Sequence, residues 1–113
     1  MIEDKQNVLF TLYKVLTNKE IKELTNAGFT KDQIELINDW LLHDNMTRES
    51  IELCMNHDFN TYQMKLIKIG LIDDKLPVDY VKIYARPDFT VSQMNTIRKS
   101  LKSILVVIKD VLL

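Results

Sequence analysis

The sequence predicts an all-α fold, a short α-solenoid of three tandem helical hairpins, and three observations carry that prediction. A five-residue phrase recurs every 30 residues, as Phe29-Thr30-Lys31-Asp32-Gln33, Phe59-Asn60-Thr61-Tyr62-Gln63 and Phe89-Thr90-Val91-Ser92-Gln93. The apolar positions around it keep the same register: Ile34, Met64 and Met94 align, as do Ile37, Ile67 and Ile97, then Leu41, Leu71 and Leu101. Upstream, Ile21 aligns with Ile51 and Val81, Leu24 with Cys54 and Tyr84, and Thr17 with Thr47 and Pro77. Finally, the long period-two alternation of a half-buried strand is absent, so no strand is expected. A two-helix unit cannot bury its apolar face alone and stacks on its neighbours, so the period fixes the architecture. The repeats are 17–46, 47–76 and 77–106, within a single domain that spans 1–113.

Residues 2–16 read as a capping helix, because Val8, Leu9, Leu12, Val15 and Leu16 form one apolar stripe behind Glu3, Asp4 and Lys5. Such a helix covers the face that the first repeat leaves open. The first repeat begins with Thr17-Asn18-Lys19-Glu20, a capping box in which the Thr oxygen and the Glu carboxylate satisfy each other's backbone amides. Ile21, Leu24 and Ala27 point inward from the helix that follows, and Gly28 ends it in the left-handed conformation. Thr30 to Gln33 is a second capping box, with Phe29 stapled to Ile34 across the helix start. The same grammar returns with Phe59, Asn60, Gln63 and Met64, and with Phe89, Thr90, Gln93 and Met94. Asp58 stands at the position of Gly28, Pro87-Asp88 stops the first helix of the third copy, and Pro77 opens that helix. These signals place helices at about 3–16, 18–27, 31–43, 48–57, 61–73, 78–86 and 91–112. After Leu101 the last helix does not stop where its equivalents do, and its extension, 101–113, is apolar nearly all round. It either folds back as a C-terminal cap or pairs with a second copy through Ile104, Leu105, Val107, Ile108, Val111 and Leu112.

A chain of 113 residues is long enough to bury a core without metal or disulfide staples, and its lone cysteine, Cys54, cannot form an intramolecular bridge. The polar start, Met1 to Asn7, is unlike a signal peptide, and no apolar run approaches the roughly 18 to 20 residues of a membrane span. The expected location is the cytoplasm. A net charge of −1 gives no general affinity for nucleic acid or membranes. The charge is unevenly spread: three Lys against six Asp and Glu in 17–46 make −3, whereas five Lys and Arg against two Asp in 77–106 make +3.

Candidate sites follow from that asymmetry. The acidic residues of the first repeat, Glu20, Glu23, Asp32, Glu35 and Asp39, could face a basic protein, with Trp40 as an aromatic anchor. Position 40 aligns with Gly70 and Ser100, so Trp40 could equally fill space between repeats. The basic residues of the third repeat, Lys82, Arg86, Arg98, Lys99 and Lys102, offer an alternative nucleic-acid surface near Tyr80 and Tyr84. Cys54-Met55-Asn56-His57 has a zinc-like spacing, yet with His43 the chain holds only three residues of Cys or His type, so no metal and no cofactor is expected. Two glycines cannot build a phosphate-cradling loop, and no nucleophile lies in a catalytic motif, so the chain is read as non-enzymatic.

In the third copy, Tyr84-Ala85-Arg86-Pro87-Asp88-Phe89 followed by Gln93-Met94 and Ile97-Arg98 resembles a helical repeat of phage and bacterial mobile-element proteins. That repeat runs Tyr-Ala-x-Pro-x-Phe-x-x-x-Gln-Met-x-x-Ile-Arg, usually then x-Gly-Leu. The second copy matches it through Phe59, Gln63, Met64, Ile67, Gly70 and Leu71; Ser100 departs from its Gly, and the unit here is longer. The resemblance implies a protein-binding module and, by analogy, an antagonist of host defence of the anti-CRISPR kind. The expected function is therefore binding and inhibition of a host protein in the bacterial cytoplasm.

Overall fold

The computed structural model describes residues 16–44 and 46–112. The expected helix at 3–16 lies outside these residues, apart from Leu16. Every regular element among them is helical, and no strand occurs. The chain divides into two compact units, the first ending at Ile51 and the second beginning at Glu52, a boundary inside the second sequence repeat.

The first unit contains α1 (Asn18–Asn26), α2 (Lys31–His43) and the single turn α3 (Arg48–Ile51). Both predicted capping boxes form: Thr17 Oγ1 accepts from the Glu20 amide at 3.1 Å while Glu20 accepts from the Thr17 amide at 3.0 Å. At the start of α2, Thr30 and Gln33 make the same exchange at 3.2 and 2.7 Å. Each such cap is worth about 1 kcal/mol, a useful fraction of the stability of a small domain. Gly28, at φ 102°, closes α1 as predicted, and the amides of Gly28 and Phe29 return to the carbonyls of Thr25 and Leu24. That double bond satisfies carbonyls the helix end would otherwise orphan. Leu24, Phe29, Ile34, Ile37 and Leu41 are buried, and Ile21 is half-buried. Ala27, expected to point inward, is exposed, because it is the C-cap residue at which the helical path ends.

The second unit opens with a 3-10 turn, Glu52–Cys54, followed by α4 (Thr61–Lys68), α5 (Val78–Tyr84) and α6 (Val91–Leu112). The helix expected over 48–57 therefore stops three residues early. Asn56 is the cause, since its side chain accepts from the Asp58 amide at 2.9 Å, a local turn that competes with further helix. Asp58 consequently needs no left-handed backbone; the non-glycine residue with positive φ among those described is Lys75, at 53°. Asn60 and Thr90 cap α4 and α6 through reciprocal bonds with Gln63 and Gln93, at 2.8 to 3.0 Å. The helix expected to 86 ends at Tyr84, since Pro87 disfavours helical backbone at Arg86. Beyond Lys68, α4 widens into a π-helical segment, Ile69–Asp73.

Tyr84 explains the site of that widening. Its ring is completely buried, and its hydroxyl donates to the Leu66 carbonyl at 2.8 Å. A Cβ built on Gly70 would stand 1.9 Å from the Tyr84 oxygen, so glycine is required there for close approach. A side chain inserted against the backbone ladder is a recognised cause of such a local change in pitch. Met64, Ile67, Val81, Tyr84 and Met94 are the completely buried residues where α4, α5 and the first turns of α6 pack together. Gly70→Ala should cost about 1 to 3 kcal/mol of unfolding free energy in urea. Adding Tyr84→Phe should make the double variant less destabilised than the sum of the two single variants, and strict additivity would contradict the proposed contact.

Candidate functional site

The acidic residues singled out in the first repeat divide by position. Glu20 is engaged internally: it completes the Thr17 cap and takes a short charge-assisted hydrogen bond from Arg48 on α3. Burial works to raise its carboxyl pKa, but the Thr17 amide and the Arg48 guanidinium outweigh that and hold it below the usual range. Glu23 and Glu35 are exposed and lie 3.9 and 3.8 Å from Lys19 and Lys31, one helical turn away. Pairs of that kind contribute a few tenths of a kcal/mol, so both carboxylates stay available to a partner. Asp32 is exposed in the first turn of α2, and Asp39 is exposed 3.7 Å from His43. Asp32, Glu35 and Asp39 fall at i, i+3 and i+7, on one face of α2.

Beside that face the first unit holds a groove of about 280 Å³, lined by Ile21, Thr25, Phe29 and Ile34 together with Lys31 and Glu35. Trp40 is not part of it. Its side chain is only 4% exposed, the space-filling one of its two alternatives, so the indole is not presented as an anchor on this surface.

The basic residues of the third repeat are mostly spent within the second unit. Arg98 makes a short charge-assisted hydrogen bond with Asp74, whose side chain is 4% exposed, and a 2.9 Å bond to Asn95. Lys102 lies 3.2 Å from the other Asp74 oxygen. This cluster ties the segment after α4 to the middle of α6. A buried pair of this kind adds little net stability, whereas removing one partner costs about 3 to 5 kcal/mol, which marks Arg98 as a structural residue. Arg86 grips Asp88 through two nitrogens at 3.2 and 2.8 Å and lies 4.7 Å from the centre of the Phe89 ring. Lys82 and Lys99 are exposed. Of the two tyrosines expected near this surface, Tyr84 is buried and Tyr80 is half-buried, so the described residues assemble no row of basic and stacking groups.

Cys54 is wholly buried, and burial pushes its thiol up to about 12, leaving no thiolate for nucleophilic attack near neutral pH. Among the described residues no group of three or more His, Cys, Asp or Glu is arranged to hold a metal ion. No described helix is long and apolar enough to cross a membrane. What the linear pattern missed is the pairing of Arg48 with Glu20 and of Arg98 with Asp74, 28 and 24 residues apart. The one available signal was a break in the alignment: Asp74 aligns with Asp44, but Arg98 aligns with Lys68 and Asn38.

No protein-family model, curated protein or solved structure matches the chain. The functional reading therefore rests on its own residues.

The Glu20 carboxylate has a pH-dependent consequence. Because its pKa is lower in the folded state, its stabilisation is full above the unfolded value near 4.5 and is lost as pH falls through the folded value. Thermal denaturation should show Glu20→Gln melting below the unaltered chain at pH 7, with the gap narrowing as the pH falls through the lowered folded value. A gap that does not narrow on acidification would contradict the assignment.

Proposed function

We propose that the chain is a non-enzymatic binding module, a stack of three helical hairpins that acts by stoichiometric contact with a basic protein surface. The observation that carries this reading is the α2 face of the first unit. Exposed Asp32, Glu35 and Asp39 form one row there, and Glu35 also lines an apolar groove of about 280 Å³ together with Phe29, Ile34, Lys31 and Asn38. A carboxylate row beside an apolar recess suits a partner that offers Lys or Arg beside one aliphatic or aromatic side chain. The charges would steer encounter and register, and the recess would supply affinity.

The recurrence of one structural unit is supported by chemistry that repeats at aligned positions. The Met46 amide reaches the Trp40 carbonyl, and the Leu76 amide reaches the Gly70 carbonyl, six residues back in each case. Between the second and third copies the sizes at two positions are complementary, since the absent side chain of Gly70 leaves room for the Tyr84 hydroxyl. The third copy then turns polar. Thr96 and Ser100 replace Leu66 and Gly70 and are exposed, and Thr96 lines a depression of about 270 Å³ with Gln93 and Ser92. A polar outer face is how a repeat array ends.

The resemblance of residues 84–98 to repeats of phage and mobile-element proteins adds a setting, in which the partner is a host protein, in the first instance a defence component with a basic groove. Capture from a bacterial lysate followed by mass spectrometry tests the reading. The unaltered chain should retain a protein of basic surface. The triple variant Asp32→Lys, Glu35→Lys, Asp39→Lys, folded by circular dichroism, should retain at least about tenfold less. Equal capture by both chains would overturn it.

A further inference from the structure

Helix α6 runs unbroken from Val91 to Leu112, and its end does not fold back as a cap over the third copy: Ile104, Val107, Ile108, Val111 and Leu112 are exposed and Leu105 is half-buried. The groove of the first unit differs from that bare end, because chain is held at its rim. The Leu16 amide donates to the Asn38 side-chain oxygen at 2.7 Å, Leu16 is itself buried, and Asn38 lines the groove. Residues 2–15, outside the described residues, lead directly to that bond.

The second unit shows what such a surface accepts. In the 30-residue register Ile21, Phe29 and Ile34 of the groove align with Val81, Phe89 and Met94. Val81 and Met94 are completely buried, whereas Ile21 is only half-buried. They are covered by the stretch of chain that precedes their own copy: α4 packs on α6, and the π-helical segment after α4 packs on α5. Asp74, which follows that segment, is bound by Arg98, and Arg98 aligns with Asn38. Residues 2–16 hold the corresponding place ahead of the first copy, since Leu16 aligns with Met46 and Leu76 and all three are buried. In each unit, therefore, the same aligned position grips the end of the preceding stretch.

We infer that residues 2–15 of the same chain occupy the groove, with the aliphatic stripe of Val8, Leu9, Leu12 and Val15 against Ile21, Phe29 and Ile34. This rests on the reading of the α2 face as a partner site, and it adds regulation: the segment and the partner's apolar side chain compete for one recess. A segment tethered at the rim is present there at an effective concentration on the order of millimolar, far above a second copy of the chain at working concentrations. Asp32 and Asp39 lie outside the groove lining, so a basic partner makes its first charge contacts with the segment in place and then displaces it. Its apparent affinity is reduced by the fraction of chains whose groove is open.

Thiol labelling of the full chain tests the covering. Ile21→Cys should react slowly, and about tenfold faster once Leu9→Ser and Leu12→Ser are added, while Ile37→Cys, at a completely buried position of the same unit, stays protected in both backgrounds. Equal rates at position 21 with and without the two serines would overturn the inference. Where the serines loosen the whole unit and position 37 reacts as well, a mutant cycle in urea decides. The combined effect of Leu9→Ala, Leu12→Ala and Ile21→Ala on the folding equilibrium should fall short of the product of the separate effects by a factor of about two or more. A simple product would overturn the covering. Lysate capture reads the competition separately: the Leu9→Ser, Leu12→Ser chain should retain about threefold more of the basic protein than the unaltered chain. Equal capture would overturn the competition. Capture of nothing by either chain would overturn the partner site, and the labelling would still decide the covering.

Discussion

The Gln63 side chain carries the interaction on which the repeat depends. Its oxygen accepts from the Asn60 amide at 2.8 Å, closing the cap of its own helix, while its amide nitrogen donates to the carbonyls of Pro87 and Phe89 at 3.2 and 2.7 Å. One buried group thus starts a helix and grips the loop that starts the corresponding helix 30 residues later. Glutamate could form the cap but could not donate, and asparagine is one methylene short of the same reach. That dual demand gives a physical reason for Gln at the end of the recurring phrase. In the third copy Gln93 keeps the cap and is exposed.

The division of labour within the phrase also separates shape from specificity. Phe, Thr or Asn, and Gln build the start of a helix, so what they do is the same in each copy. Chemistry that differs between copies lies elsewhere: exposed carboxylates along α2 in the first, the Asp74 cluster and Tyr84 insertion in the second unit, and the apolar extension in the third. The proposed binding face of the first unit uses such positions.

The all-helical character and most helix starts were legible because local rules set them. Capping boxes at Thr17, Thr30, Asn60 and Thr90 depend on residues three apart, and all four form where the spacing puts them. The errors were local too, at Asn56 and Ala27, where a side-chain turn or a cap residue overrode the helical register. The candidate sites were less legible because net charge in a sequence window ignores pairing across the fold. In the linear chain Arg98 reads as a surface cation, yet it is largely buried and pairs with Asp74, 24 residues away, and Arg48 neutralises Glu20 from outside the acidic repeat. Trp40 shows the same limit for an aromatic residue: its size suggested an anchor, and its burial assigns it to packing.

The most direct measurement compares Gln63→Met with Gln93→Met by urea denaturation. Both variants lose the Gln half of a capping box, but only the first also loses two bonds to the following loop and leaves the Pro87 and Phe89 carbonyls without that donor. Gln63→Met should therefore be less stable than Gln93→Met by about 1 to 3 kcal/mol. Equal losses would mean that the recurring Gln serves its own helix alone and that the copies are not held together in the way described.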